Sequence, residues 1–214
     1  MAKKIGVIAG SPVDTQMGVD VLAGRGAQAF AYPAAYAARE QTEFQMQSEQ
    51  VRTEKIRSIM KQALADGMDD FMIYCNSLSS TVDMPALSAE LGVKVVTPLM
   101  AYARYAGEYG CLAVIAGNNQ GLAGIERAIM GANIKCTVIG ASLLPMVVEV
   151  EEKTEPMAIV EKFALPSLAD FFEHAGAEAL ILGCTHFPYI RQALEQTIRL
   201  PILDPADRMC EMLL

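Results

Sequence analysis

The sequence predicts an α/β protein of two pseudo-symmetric domains, each a parallel sheet flanked by helices. Two observations carry this. Short apolar runs closed by turn residues alternate with longer stretches of helical character, and the first half of the chain is echoed in the second.

Residues 4–9, 70–74, 94–96, 111–116, 135–139 and 179–182 read as strands. Each is short, rich in Ile, Val or other large apolar residues, and closed by Gly, Pro, Asn, Ser or Thr, the pattern of strands buried on both faces. Residues 43–66 form the clearest helix, with Val51, Ile56, Ile59, Met60, Ala63 and Leu64 on one side. Residues 85–91, 122–130, 160–174 and 189–196 are further helical stretches, and Gly24-Arg25-Gly26 is a turn. Right-handed crossovers put the C-terminal ends of parallel strands on one edge, where ligands usually bind.

The internal repeat is the most informative feature. Val7-Ile8-Ala9-Gly10 recurs as Val114-Ile115-Ala116-Gly117, an offset of 107 residues. Gly67-Met68-Asp69-Asp70-Phe71-Met72-Ile73-Tyr74-Cys75-Asn76-Ser77 is echoed by Gly176-Ala177-Glu178-Ala179-Leu180-Ile181-Leu182-Gly183-Cys184-Thr185-His186, an offset of 109. Glycine precedes cysteine by eight residues in both copies. The expected division is residues 1–98 with 204–214 as the first domain and 99–203 as the second. Strand-like runs are common to any two α/β halves. The matched words and the matched glycine-to-cysteine spacing go beyond that.

Bulk properties narrow the function classes. The chain has 214 residues, 52% of them hydrophobic and 20% charged, enough for a filled core. A formal net charge of −8 argues against general binding to nucleic acid or anionic membrane, though local dipoles can still hold a small anion. The opening MAKKIGVIAGSP lacks a signal-peptide core, and no stretch approaches the roughly 20 apolar residues of a membrane span. The protein is therefore expected to be cytoplasmic, with a small carboxylate substrate as its partner. A homodimer is compatible with the sequence, which does not set the oligomeric state. Five widely spaced cysteines with no CxxC pair are expected to be free thiols.

The repeat gives the cysteines their meaning. If the halves pack face to face, Cys75 and Cys184 approach one cleft from opposite sides. Inverting a stereocentre needs that arrangement: one base removes the Cα proton from one face, and a conjugate acid returns a proton to the other. A thiol, with an ordinary pKa of about 8.5, can serve in both forms near neutral pH. Each cysteine should sit where a strand turns into a helix, so that backbone N–H groups and the helix dipole favour thiolate and carboxylate. Asn76, Ser77 and Thr185 add short donors there, and His186 could orient a carboxylate or tune the thiol. Either cysteine alone would be read as a structural thiol; the matched pair favours catalysis.

Tyr74-Cys75-Asn76-Ser77-Leu78-Ser79 resembles the first cysteine motif of glutamate racemases, a Cys-Asn-Thr/Ser turn. Leu182-Gly183-Cys184-Thr185-His186-Phe187-Pro188 closely resembles their second, Gly-Cys-Thr-His followed by an aromatic residue and Pro. Leu203-Asp204-Pro205-Ala206 resembles the family's return segment into its first domain. The chain is thus similar to the aspartate/glutamate racemase family along nearly its whole length. The resemblance implies an amino-acid racemase with two α/β domains, an active site between them and no cofactor. Carried over by position, Cys75 and Cys184 are the catalytic bases, and Asn76, Ser77, Thr185 and His186 bind substrate or assist, with Gly10 and Ser11 in the first loop. His186 following Cys-Thr is more like the glutamate than the aspartate branch. The chain also departs from the pattern. Where glutamate racemases carry Asp-Ser-Gly after the first strand, it has Ala9-Gly10-Ser11, with Asp14 further along. Their Pro-Tyr-Gly would fall near Glu43-Phe44-Gln45, and their threonine-rich loop is replaced by Gly117-Asn118-Asn119-Gln120.

The expected reaction is two-base proton exchange at Cα of an acidic amino acid, glutamate or aspartate. One alternative keeps the fold and makes the protein a cis-trans isomerase or decarboxylase of a small carboxylic acid. Another is a non-catalytic metal or small-molecule binder, with Cys75, Cys184 and His186 as soft ligands; no metal is expected in the racemase. None of the eight lysines suggests a pyridoxal site, and no GxGxxG or P-loop pattern supports a nucleotide site. Cys111, Cys136 and Cys210 read as small core residues, the thirteen methionines as core filler and His174 as a helix-end residue. The acidic run 149–155 (EVEEKTE) reads as a solvated loop or helix start.

Overall fold

The computed structural model describes residues 3–36, 43–44 and 46–214. The chain forms two compact units, residues 1–98 with 206–214 and residues 99–205.

Unit 1 contains β1 (Lys4–Ala9), α1 (Pro12–Ala23), β2 (Gln28–Pro33), α2 (Glu49–Ala65), β3 (Asp70–Ile73), α3 (Asn76–Ser79), α4 (Met84–Leu91) and β4 (Val95–Val96). All strand pairs are parallel, in the order β2-β1-β3-β4. The central strands are the apolar ones: Val7, Ile8, Phe71, Met72 and Ile73 have no exposed surface. Of the six apolar residues assigned to one side of α2, Ile56, Met60 and Ala63 are buried, whereas Val51 is exposed. This helix starts at Glu49 because the Ser48 hydroxyl accepts from the Val51 N–H (3.4 Å) and caps it. The earlier part of the expected 43–66 helix includes Gln45, outside the described residues.

Unit 2 repeats the plan. α5 (Pro98–Tyr105) leads to β5 (Cys111–Ala116), α6 (Asn119–Ala132), β6 (Thr137–Ser142), α7 (Leu144–Glu151), α8 (Pro156–Lys162), α9 (Leu165–His174), β7 (Ala179–Gly183), a 3₁₀ turn (Phe187–Ile190), α10 (Arg191–Glu195) and β8 (Ile202–Leu203). The sheet order β6-β5-β7-β8 is that of unit 1. α11 (Pro205–Leu213) carries the chain back to unit 1, where Arg25 pairs with Asp207 (2.5 Å).

The repeat extends beyond the words that announced it. Thr97-Pro98 and Asp204-Pro205 are 107 residues apart, and each closes the last strand of a sheet and opens a helix. Gly67 and Gly176 both take positive φ, +88° and +97°, in the turn before the cysteine-bearing strand, a conformation open chiefly to glycine.

Several elements differ from expectation. α1, α5, α7 and α11 had no counterpart in the sequence reading, and all carry proline in their first turn, at Pro12, Pro98, Pro145 and Pro205. There its fixed φ suits the helix and its missing N–H costs nothing. The expected 160–174 helix is two helices, because Ala164 takes φ +48°. The 189–196 stretch is likewise a 3₁₀ turn followed by α10. β6 runs from 137 to 142 rather than from 135, since the Lys135 N–H is turned to the Asn133 side chain (3.1 Å). β2 and β8 were not expected. β2 is an edge strand whose Gln28, Phe30 and Ala31 are exposed, and β8 has only two residues.

Gly24-Arg25-Gly26 is the turn expected. Cys136 and Cys210 are buried core thiols, while Cys111 is half-buried. Burial raises the Cys136 thiol pKa, with Cys111 and Glu178 adding to it. His174 ends α9, its Nδ1 2.7 Å from the Asp170 carbonyl.

Candidate active site

In unit 1, β1 and β3 are neighbours, so the loops leaving their C-terminal ends lie side by side. Ser11 caps α1 in a reciprocal box with Asp14. The Asp14 carboxylate accepts from the Gly10 N–H (3.2 Å), the Ser11 N–H (2.6 Å) and the Ser11 hydroxyl (2.7 Å). It is 2% exposed. The donors of Gly10 and Ser11, expected to face substrate, are therefore turned to an internal carboxylate. Asp14 shapes this loop.

Cys75 follows β3 directly, after the Tyr74 N–H reaches the Ile8 carbonyl (2.8 Å). It is buried and occupies the N-cap position of α3, without a capping hydrogen bond from its side chain; the first residues of α3 are the buried Asn76 and the half-buried Ser77. Ser79 donates to the Cys75 carbonyl from its N–H (3.1 Å) and its hydroxyl (2.7 Å). Ser80 and Thr81 hydroxyls both donate to the Ser77 carbonyl at 2.9 Å. α3 is a single turn of four residues. The helix field expected to favour thiolate at Cys75 thus reduces to a few local N–H groups, because a macrodipole needs aligned peptides over several turns.

In unit 2, Cys184 follows β7, and a Thr185-His186 turn leads into the 3₁₀ segment. Thr185 and His186 are buried and Cys184 is half-buried. The expected strand-to-helix junction is here a strand-to-3₁₀ junction. The Cys184 Sγ lies 3.7 Å from His186 Nδ1, and His186 Nε2 lies 3.2 Å from Glu151 Oε1. Thiol, imidazole and carboxylate form a chain. With Nε2–H donating to Glu151, the Nδ1 lone pair is left facing the thiol.

Glu151 was not singled out from the sequence, where it lay in a run read as solvated. Within that run Glu149 accepts from Lys162 of α8 and from the Thr154 hydroxyl (2.8 Å), which fixes the C-terminal end of α7 two residues before Glu151. Lys162 first and Thr154 second hold the Glu149 carboxyl below the usual range. One signal could have exposed the pair: two carboxylates in the last turn of a helix oppose its dipole and need a tertiary reason to be there.

The structure thus gathers Gly10, Ser11, Cys75, Asn76 and Ser77 on one sheet edge of unit 1, and Cys184, Thr185 and His186 on the matching edge of unit 2. Among the described residues, no three His, Cys, Asp or Glu side chains gather so as to hold a metal ion, and no helix is long and apolar enough to cross a membrane.

Two parallel sheets of the same strand order, each with a cysteine just after the equivalent strand, define a class of two-domain α/β proteins with an internal repeat. Residues 31–213 match the Asp/Glu/Hydantoin racemase family, and the chain belongs to that family. It is 30% identical over 145 residues to a glutamate racemase of Limosilactobacillus fermentum, covering 63% of this chain and 52% of that protein. The chain spans about half the length of the curated relatives it matches. Among solved structures, glutamate racemase from Francisella tularensis in complex with D-glutamate shares the fold with a TM-score of 0.73 at 18% identity, covering 99% of this chain and 79% of that one. An aspartate racemase homologue from Pyrococcus horikoshii does so with a TM-score of 0.72 at 15% identity, covering 99% and 97%.

Proposed function

We propose that this protein is a cofactor-independent racemase that exchanges the Cα proton of an acidic amino acid, glutamate or aspartate, with Cys75 and Cys184 as the two bases. The observation that carries the proposal is the Cys184–His186–Glu151 chain at the end of β7, the strand whose twin, β3, ends in Cys75. A cysteine paired with an imidazole backed by a carboxylate is a thiol equipped to give up and regain a proton.

In one direction the Cys75 thiolate removes the Cα proton and the Cys184 thiol returns one to the opposite face. In the other, Cys184 is deprotonated by transfer of its proton to His186 Nδ1, with Glu151 stabilising the imidazolium; the Cys184 thiolate then removes the Cα proton and the Cys75 thiol returns one to the opposite face. Asn76, Ser77 and Thr185 are the donors proposed to hold the substrate carboxylates, together with whatever part of the Gly10-Ser11 loop Asp14 leaves accessible. Family membership and the glutamate racemases among its relatives support the acidic amino acid.

The test is proton NMR in D₂O with L-glutamate and L-aspartate in separate incubations, with optical activity followed alongside. The expected result is loss of the Cα signal together with optical activity for one of the two, abolished in Cys75→Ala and in Cys184→Ala. Exchange with neither substrate would sink the acidic-amino-acid reading and favour an isomerase acting on other small acids.

A further inference from the structure

Gly117 follows β5, and the last residue of that strand, Ala116, pairs with Gly183, just before Cys184. A Cβ added at position 117 would stand 2.9 Å from the Cys184 Sγ, 3.5 Å from the Cys184 Cβ and 3.2 Å from the Val147 Cγ2. Favourable contacts between heavy atoms of this kind begin at roughly 3.5 Å. The sulfur therefore occupies space that any side chain at 117 would claim. Val147 belongs to α7, the helix that carries Glu151 one turn further on. The Gly117 backbone and the Val147 methyl together form a slot beside the sulfur, and in that slot the sulfur lies 3.7 Å from His186 Nδ1.

We propose that Gly117 is a positioning residue for Cys184, its missing side chain making the slot that turns the sulfur toward His186. The inference deepens the racemase reading and rests on it for its catalytic meaning, but the slot itself is tested without turnover. With an alanine at 117 the sulfur must rotate away from its place, and the pairing with the imidazole is lost.

The experiment uses the full chain and five variants: Gly117→Ala, His186→Asn, Cys184→Ala, and Gly117→Ala combined with each of the other two. Iodoacetamide labelling at neutral pH is followed peptide by peptide, thermal melting is recorded, and kcat and KM are measured on the substrate found above. Gly117→Ala is expected to slow Cys184 labelling by roughly tenfold and to lower kcat by a similar factor, with KM changed by less than about threefold. Because His186→Asn removes the same pairing, adding Gly117→Ala to it should slow labelling no further. Cys136, buried in the core, is the internal reporter of unfolding, and its labelling should not change. If Gly117→Ala fails to fold, melting still decides: the clash is with sulfur, so Gly117→Ala in the Cys184→Ala background should melt close to Cys184→Ala alone. Unchanged Cys184 labelling in a folded Gly117→Ala, multiplying effects of the Gly117 and His186 changes, or equal destabilisation with and without the sulfur would each overturn the slot. Absence of racemisation in the unmodified protein would instead strike the racemase reading and leave the labelling and melting results to stand.

Discussion

The two units solve the same packing problem in opposite ways. In unit 1 the residue before the cysteine is Tyr74, a large buried side chain, and it fits because the helix above it offers Gly18, where a Cβ would fall 2.7 Å from Val7 Cγ1 and 2.8 Å from Tyr74 Cγ. In unit 2 the residue before the cysteine is Gly183, and the helix position equivalent to Gly18 is Ile125. A Cβ at Gly183 would fall 2.7 Å from Ile125 Cδ1, 2.8 Å from Val114 Cγ1 and 2.9 Å from the Ile115 carbonyl. The equivalent positions differ by the same offsets as the repeat, 107 for the helix pair and 109 for the strand pair. Large on the strand with small on the helix has become small on the strand with large on the helix. Close packing fixes the total volume at such a crossing, and either partner can supply it.

The comparison can be broken most severely at Tyr74. Tyr74→Ala leaves a cavity facing Gly18, which has no side chain to fill it, and should cost about 3–5 kcal/mol in urea unfolding. A loss below about 1 kcal/mol would mean that the crossing is loosely packed and the exchange of sizes has no energetic meaning. Gly183→Ala should cost less, about 1–3 kcal/mol, through overpacking. Ile125→Val in the same chain removes the nearest atom and should return part of that loss. Strict additivity of the two changes would show that the fixed Ile115 carbonyl, not Ile125, sets the cost.

The sites differ as well as the cores. The cysteine of unit 2 is backed by His186 and Glu151, whereas the loop of unit 1 spends its carboxylate, Asp14, on its own backbone. Glu151→Gln keeps the shape of the chain but removes the charge that stabilises an imidazolium, and kcat should fall about tenfold, the worth of one hydrogen bond to a charged group. An equal fall from Asp14→Asn with no change in melting would assign the two carboxylates the same role and erase the contrast. Glu149→Gln is the mildest change. The Glu149 carboxyl pKa is lowered by Lys162 and Thr154, so its contribution to stability is present above the ordinary carboxylate range and lost as pH falls through the depressed value. The difference in melting temperature between the unmodified protein and Glu149→Gln should be visible at neutral pH and close in acid. A gap that widens in acid would have the wrong sign for this ion pair.

Local chemistry explains how much of this was legible in advance. The central strands were visible because strands buried on both faces must be largely apolar, and β1, β3, β5 and β7 are, apart from Lys4 and Asp70 at the first positions of β1 and β3. β2, an edge strand with exposed positions, and β8, of only two residues, were not, although the equally short β4 was. The helices that escaped notice open with proline, which marks a helix start and a helix break alike until the neighbouring strand shows which it is. The two cysteines and their polar turns could be read from spacing because duplication preserves register.

The sequence by itself determined the duplicated α/β plan, the paired strand-end cysteines and the polar residues that follow them, since each depends on neighbours a few positions away or on a repeat. Only the tertiary structure decided that Asp14 turns inward, that Glu151 lies behind His186 across 35 residues of chain, and that Gly117 leaves room for a sulfur 67 residues further on. Those are contacts between elements far apart in sequence. Their physical basis is volume and hydrogen-bond satisfaction at one point in space, to which the pattern along the chain is blind.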